Sequence, residues 1–193
     1  PFFDLAFGNG RGLLVGAYGL AFETLDEGRS WHSIAHRLPN PKGLHLYGVG
    51  FTGGRVYVAG EQGLLLRSND GGERYEALAS PYKGSYFGLV AARSGTLVVY
   101  GLRGNAFRST DGGANWSPIR TGTPVGLGAG IERADRSIVL LAQNGDLLVS
   151  RDDGASFARR PAAEPFPASG LAPADEQAVI VAGLRGLARM DAA

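Results

Sequence analysis

The chain has 193 residues, 19 of them Lys or Arg against 18 Asp or Glu, and its formal net charge of +1 supplies no global field for nucleic acid or anionic lipid. Cysteine is absent, which excludes disulfides, a thiol nucleophile and thiolate metal sites and fits an oxidising or a reducing compartment equally well. No apolar run approaches the ~18 residues that cross a bilayer as a helix, so direct membrane insertion is not expected.

In chain order, Phe2 to Phe7 reads as a first strand, and the chain then reaches Thr24-Leu-Asp26-Glu-Gly28-Arg-Ser-Trp31. The same Ser/Thr-x-Asp-x-Gly-x-x-aromatic pattern returns as Ser68-Asn-Asp70-Gly-Gly72-Glu-Arg-Tyr75, as Ser109-Thr-Asp111-Gly-Gly113-Ala-Asn-Trp116 and as Ser150-Arg-Asp152-Asp-Gly154-Ala-Ser-Phe157. The aspartates stand 44, 41 and 41 residues apart, the length of one four-stranded propeller blade. Three apolar segments of about five residues precede each motif and one follows it, with glycine-containing turns between them. In the second unit the expected strands are Tyr47 to Phe51, Arg55 to Ala59, Leu64 to Ser68 and Arg74 to Leu78; in the third they are Phe87 to Ala91, Thr96 to Tyr100, Ala106 to Ser109 and Asn115 to Ile119. A last unit runs through Ser169 to Leu171, Ala178 to Ala182 and Leu187 to Met190 and lacks a fourth strand. The expectation is one all-β propeller domain over 1–193, with units at about 1–36, 45–79, 86–120, 126–160 and 168–193. That is about 4.75 blades of antiparallel strands, read as a processed or truncated product and as part of a larger ring.

Each aspartate motif falls in the turn between third and fourth strands, where carboxylate and hydroxyl accept turn N–H groups and glycine supplies positive φ. Asp26, Asp70, Asp111 and Asp152, with Gly28, Gly72, Gly113 and Gly154, are therefore read as structural. Trp31, Tyr75, Trp116 and Phe157 are read as aromatic plugs between blades.

These motifs resemble the Asp-box, or BNR, repeat of sialidases and other propellers. The finer wording is Gly-Ala-Tyr-Gly at 16–19, Gly-Leu-Arg-Gly-Asn at 101–105, Arg-Ser-Thr-Asp-Gly-Gly at 108–113 and Ser-Pro-Tyr-Lys-Gly-Ser at 80–85. It resembles the photosystem II stability/assembly factor-like family along essentially the whole chain. The resemblance implies a ring of roughly seven blades and a periplasmic or otherwise exported, non-enzymatic scaffold that binds proteins. It fits a non-catalytic role in assembling or stabilising a membrane-associated complex.

Alternating strand direction puts the aspartate turns and first hairpins on one face, and the turns between strands two and three, with the inter-blade loops, on the other. Equivalent positions of those turns hold Tyr18, Gln62, Arg103, Asn144 and Arg185, a varied series on a fixed frame. The loops beside them carry Arg37, Asn40, Lys42, His45 and Tyr47, then Tyr82, Lys83, Ser85 and Tyr86. The candidate contacts are Arg103, Arg185, Lys83, Tyr86, Lys42 and Tyr18, and a basic, aromatic surface of this kind suits a membrane-associated protein partner with an acidic segment.

Other chemistry has weaker footing. The alternative function is a carbohydrate-active Asp-box protein, a sialidase-like glycoside hydrolase or a glycan-binding module, with Arg103, Arg185, Tyr18 and Glu61 as its polar ring. It lacks the Arg-Ile-Pro element of sialidases and a second carboxylate on the turns. Gly48-Val-Gly50-Phe-Thr-Gly53 matches a dinucleotide fingerprint in letters but spans a strand and a hairpin rather than a strand and a helix. Asn115-Trp-Ser117 is a sequon inside an aspartate motif, His32, His36 and His45 have no metal-ligand spacing, and the aspartate turns offer too few ligands for calcium. No cofactor, metal or nucleic-acid partner is expected.

Overall fold

The structure, a computed structural model, describes residues 1–192. Its strands form five antiparallel sheets, each built from consecutive segments of the chain. The first holds β1 (Phe2–Gly8), β2 (Arg11–Gly16), β3 (Ala21–Thr24) and β4 (His32–Ser33); the second holds β5 (Leu46–Thr52), β6 (Arg55–Gly60), β7 (Leu65–Ser68) and β8 (Glu76–Ala77). The third comprises β9 (Tyr86–Ala91), β10 (Leu97–Gly101), β11 (Ala106–Ser109) and β12 (Ser117–Pro118). The fourth comprises β13 (Leu127–Glu132), β14 (Ile138–Ala142), β15 (Leu147–Ser150) and β16 (Ala158–Arg160). The last has three strands, β17 (Ala168–Pro173), β18 (Ala178–Gly183) and β19 (Gly186–Asp191).

Sheets pack in sequence, β1 on β5, β5 on β9, β9 on β13 and β13 on β17, which is the propeller arrangement. The expected strands sit within a residue or two of these bounds, except that the fourth strands are shorter. Arg74 and Asn115 were expected inside them, but their N–H groups donate to the Oδ1 of Asp70 (3.0 Å) and of Asp111 (2.9 Å) and so still belong to the turn.

Neighbouring side chains of a strand point to opposite faces, and here each inner sheet is covered on both faces. Val98, Ile138 and Leu140 therefore fill the core between third and fourth blades, while Val139 and Leu141 fill the next one with Val179 and Val181. This is why Ile138-Val-Leu-Leu reads as an unbroken apolar run rather than an alternation. Tyr75, Trp116 and Phe157 each pack against the core shared with the preceding blade, and Trp31 meets the ring of Phe7 at 6.4 Å between centroids.

The four aspartate turns share one bonding scheme. In the third blade Ser109 Oγ donates to Asp111 Oδ1 (2.8 Å) and accepts from Gly113 N–H (2.9 Å), while the Asn115 amide donates to Asp111 Oδ2 (2.8 Å). Donors converging on the charged form hold Asp111 at about 2, led by the Asn115 N–H; Asp26 and Asp152 are held at about 2 chiefly by the hydroxyls of Ser30 and Ser156. A carboxylate with a depressed folded pKa contributes stability that is complete above its unfolded value and is lost as pH falls toward the folded one. The melting temperature is therefore expected to fall as pH drops from the ordinary value of 3.8 to about 2. An Asp111→Asn variant should lose less over that window than wild type; an identical slope in thermal melts would contradict the assignment.

Arginines clasp the blades to one another on this same side. Arg67 Nη1 donates to the Gly112 carbonyl (2.8 Å), and Arg108 Nε donates to the Asp153 carbonyl (2.7 Å). Both precede the motif serine of their own blade by one residue and reach the motif of the next. In the first blade that position is Glu23, whose buried carboxylate pairs with Arg37 (2.9 Å) and Arg11 (2.5 Å). Arg37 was expected on the opposite face and is corrected accordingly: its pairing with Glu23, and its bond to the Gly72 carbonyl, hold it at the aspartate-turn side.

Candidate functional site

On the other face, the turns between second and third strands are fixed by a repeated close approach. The residue preceding each first strand offers its carbonyl to this turn: Pro1 to Ala17 N–H (2.9 Å), His45 to Glu61 N–H (2.9 Å), Ser85 to Leu102 N–H (3.1 Å) and Pro167 to Leu184 N–H (3.2 Å). A Cβ on Gly16, Gly60, Gly101 or Gly183 would collide with that carbonyl, which explains why the second strands of these four blades end in glycine.

Tyr18 (φ 55°), Gln62 (φ 54°) and Arg103 (φ 57°) are left-handed, and each is followed by a left-handed glycine. The turn closes with Leu20 N–H on the Ala17 carbonyl (3.0 Å), Leu64 N–H on that of Glu61 (3.0 Å) and Asn105 N–H on that of Leu102 (3.3 Å), the type I′ pattern. That conformation turns the side chains outward; Tyr18 is 79% exposed, and Arg103 is exposed beside it in the series. The fourth and fifth blades differ. Asn144 is not left-handed, its amide donates to Asp146 Oδ2 (3.0 Å), and Gln143 is the exposed residue there. Arg185 is exposed, with Nη1 on the Pro165 carbonyl at 3.2 Å.

Lys42 and Lys83 are exposed on the loops between blades. Among the described residues, neither they nor Arg103 and Arg185 form an ion pair, whereas Arg11, Arg37, Arg67 and Arg108 do. Tyr86 is corrected: it is fully buried in the core between second and third blades, its hydroxyl shares a hydrogen bond with Ser80 (2.9 Å), and it cannot meet a partner. The Tyr82 ring meets Tyr86 edge to face at 6.0 Å and lies tilted against Phe107 at 5.9 Å, its hydroxyl accepts from the Asn105 amide at 3.3 Å, and Asn40 clasps both backbone groups of Leu44. These residues shape the loops. Lys42, Lys83, Arg103, Arg185 and Tyr18 remain as the displayed members of the candidate site.

Sequence reading missed the left-handed turns and the clasping arginines. A signal for the second existed, since Arg67 and Arg108 occupy the same place one residue ahead of the motif.

The family model described as photosynthesis system II assembly factor YCF48 matches residues 1–137. The chain belongs to this family. A curated relative, the photosystem II assembly lipoprotein Ycf48 of Synechococcus sp. (strain CC9902), is 35% identical over 68 residues, which is 35% of this chain and 20% of that protein. Among solved structures, YCF48 bound to D1 peptide superposes with a TM-score of 0.78 at 18% identity, covering 98% of this chain and 63% of that one. YCF48 from Cyanidioschyzon merolae gives 0.78 at 19% identity over 100% of this chain and 67% of that one. Virginiamycin B lyase from Staphylococcus aureus, an enzyme, gives 0.77 at 14% identity, covering 98% of this chain and 69% of that one. These structural likenesses establish the propeller fold. The match spans a fifth of the curated relative's length, and the chain covers just under two thirds of the first solved relative.

Proposed function

We propose that this chain is a non-catalytic, exported, periplasmic protein-binding scaffold that assists assembly of a membrane-associated complex. Its loop face takes an acidic protein segment through Lys42, Lys83, Arg103 and Arg185. The observation that carries this reading is a contrast within the molecule. Type I′ turns on the aspartate-turn face hold Asn9-Gly10 and Gly53-Gly54, the residues that conformation favours. The same conformation on the opposite face holds Tyr18-Gly19, Gln62-Gly63 and Arg103-Gly104, where a large side chain is strained. Left-handed side chains also occur on the aspartate-turn face, at Glu27, Arg136 and Asp153, but on the loop face they fall at the same turn position of three successive blades, which supports a face kept for what its side chains touch. Family membership supports a protein as that partner, and a D1 peptide, bound by a solved relative, is the first probe. The carboxylate of Glu61 accepts the His45 N–H at 3.1 Å, which ties it to the loop rather than to acid–base work.

Relief of that strain is measurable. Arg103→Asn should stabilise the fold by about 0.5–1 kcal/mol in urea melts while weakening partner binding. A destabilised variant would mean that the Arg103 side chain serves the fold.

The test of the function is affinity for a D1 peptide, and for partners captured from detergent-solubilised membranes, by wild type and by a folded Arg103→Glu/Arg185→Glu variant. Binding that weakens with salt and falls at least tenfold in the variant is expected. Equal binding by both would overturn the assignment of this face.

A further inference from the structure

Beside the basic rim, aromatic rings run inward from the turn face toward the propeller axis. The Tyr18 ring meets His45 edge to face at 4.8 Å, His45 meets Phe3 at 6.1 Å, Phe3 stacks on Tyr47 at 5.1 Å, and Tyr47 meets Phe87 at 5.7 Å. Blades one, two and three contribute in turn, so the ladder exists only in the assembled arc. Tyr18 N–H donates to His45 Nδ1 (2.9 Å), which locks its outer end. Phe3 is 43% exposed, an unusual position for a phenylalanine that already has two ring neighbours.

The ladder opens into an axial groove of about 290 Å³. Phe3, Tyr47 and Phe87 wall it, with Asp4 beside them, and the backbones of Gly88 and Gly130 form part of its floor. Glycine is required there, because a Cβ on Gly130 would lie 2.7 Å from the Tyr100 ring that packs beneath. Asp4 is the acceptor in this setting: Oδ2 takes the Val49 N–H (2.8 Å) and Oδ1 the Leu5 N–H (2.9 Å), which leaves each carboxylate oxygen a lone pair for a further donor.

We propose that this groove is a specificity pocket for a tryptophan or tyrosine side chain carried within the acidic segment that the basic rim holds. The assignment rests on the protein-binding reading above. Flat aromatic walls suit an aromatic ring, and Asp4 suits an indole N–H or phenol O–H as donor while repelling a carboxylate. Rim and pocket divide the labour: Lys42, beside the Tyr18 turn, meets acidic residues of the segment, and the groove reads one aromatic residue between them.

The experiment compares three synthetic peptides, acetyl-Asp-Glu-Glu-Xaa-Glu-Asp-Glu-amide with Trp, Phe or Ala at Xaa, titrated by calorimetry into the 193-residue chain. The Trp peptide is expected to bind at least tenfold tighter than the Ala peptide, with Phe between them. Phe3→Ser, at an already exposed position, should erase the Trp preference. Arg103→Glu/Lys83→Glu should weaken all three peptides and leave their ratio unchanged. Equal affinity for Trp and Ala peptides would overturn the pocket and leave the basic rim standing. Should no peptide bind, the rim reading fails and N-acetyl-tryptophanamide tests the groove alone by NMR. Shifts at Phe3, Tyr47 and Phe87 that vanish in Phe3→Ser are expected; a spectrum unmoved by the amide would overturn the pocket independently.

Discussion

A Leu140→Ala variant is expected to lose about 3–4 kcal/mol of stability, read as a lower urea midpoint with an unchanged m-value. Leu140 is completely buried and packs with Val98, Tyr100, Leu127, Ile138 and Leu148 in the core shared by third and fourth blades. The lost methyl groups leave a cavity that β10 and β14 cannot close, since Val99 on one strand and Val139 and Leu141 on the other are committed to the neighbouring cores. A cost below about 1 kcal/mol would mean that the interface relaxes, and that these blades pack more loosely than the close-packed core implies.

A second large effect is expected at Gly104. Its φ of +71° already disfavours a side chain, and an added Cβ would press into the Thr123 carbonyl and come within 3.2 Å of the Val125 carbonyl. Gly104→Ala should therefore cost about 2–4 kcal/mol, with two parts that a control separates. Gly53 has a φ of +57° with nothing near its Cβ position, so Gly53→Ala carries the backbone strain alone, about 1 kcal/mol. The excess at Gly104 measures how tightly the loop between third and fourth blades is held against the turn. Equal costs at the two glycines would show that this loop yields, and the fixed display of Arg103 beside it would then need revision.

The repeat made the architecture legible because a single local pattern recurs. Ser109, Asp111 and Gly113 bond among themselves, so their spacing in the chain carries the turn directly. Strand positions were legible for a similar reason: apolar runs such as Ile138 to Leu141 end at glycine-bearing turns. The candidate face was only partly legible, because burial and backbone conformation there depend on distant residues. Tyr86 and Tyr82 look alike in a loop rich in Ser, Pro and Gly, yet Tyr86 opens β9 and turns into the core. Arg37 reads as a free loop cation until Glu23, 14 residues earlier, is brought beneath it. Tyr18 gives no local sign of its left-handed φ, which follows from a turn pinned by Pro1 on one side and His45 on the other. Phe3 reads simply as a strand residue, and its place in an aromatic ladder follows only when the second blade lies alongside.

Arg67 and Arg108 each reach a main-chain carbonyl of the next blade, at Gly112 and Asp153, and Arg108 adds an ion pair to the Asp153 carboxylate at 3.0 Å on top of that bond. Every amino acid carries such an acceptor, so the residue facing the guanidinium can drift over generations without unlocking the junction, as the pair Gly112 and Asp153 already illustrates. Selection at these two seams then falls mainly on the donor strand. A propeller joined in this way can duplicate, lose or exchange blades while keeping its joints, which gives the array a modular freedom that seams built on matched charges, changing two at a time, would deny it.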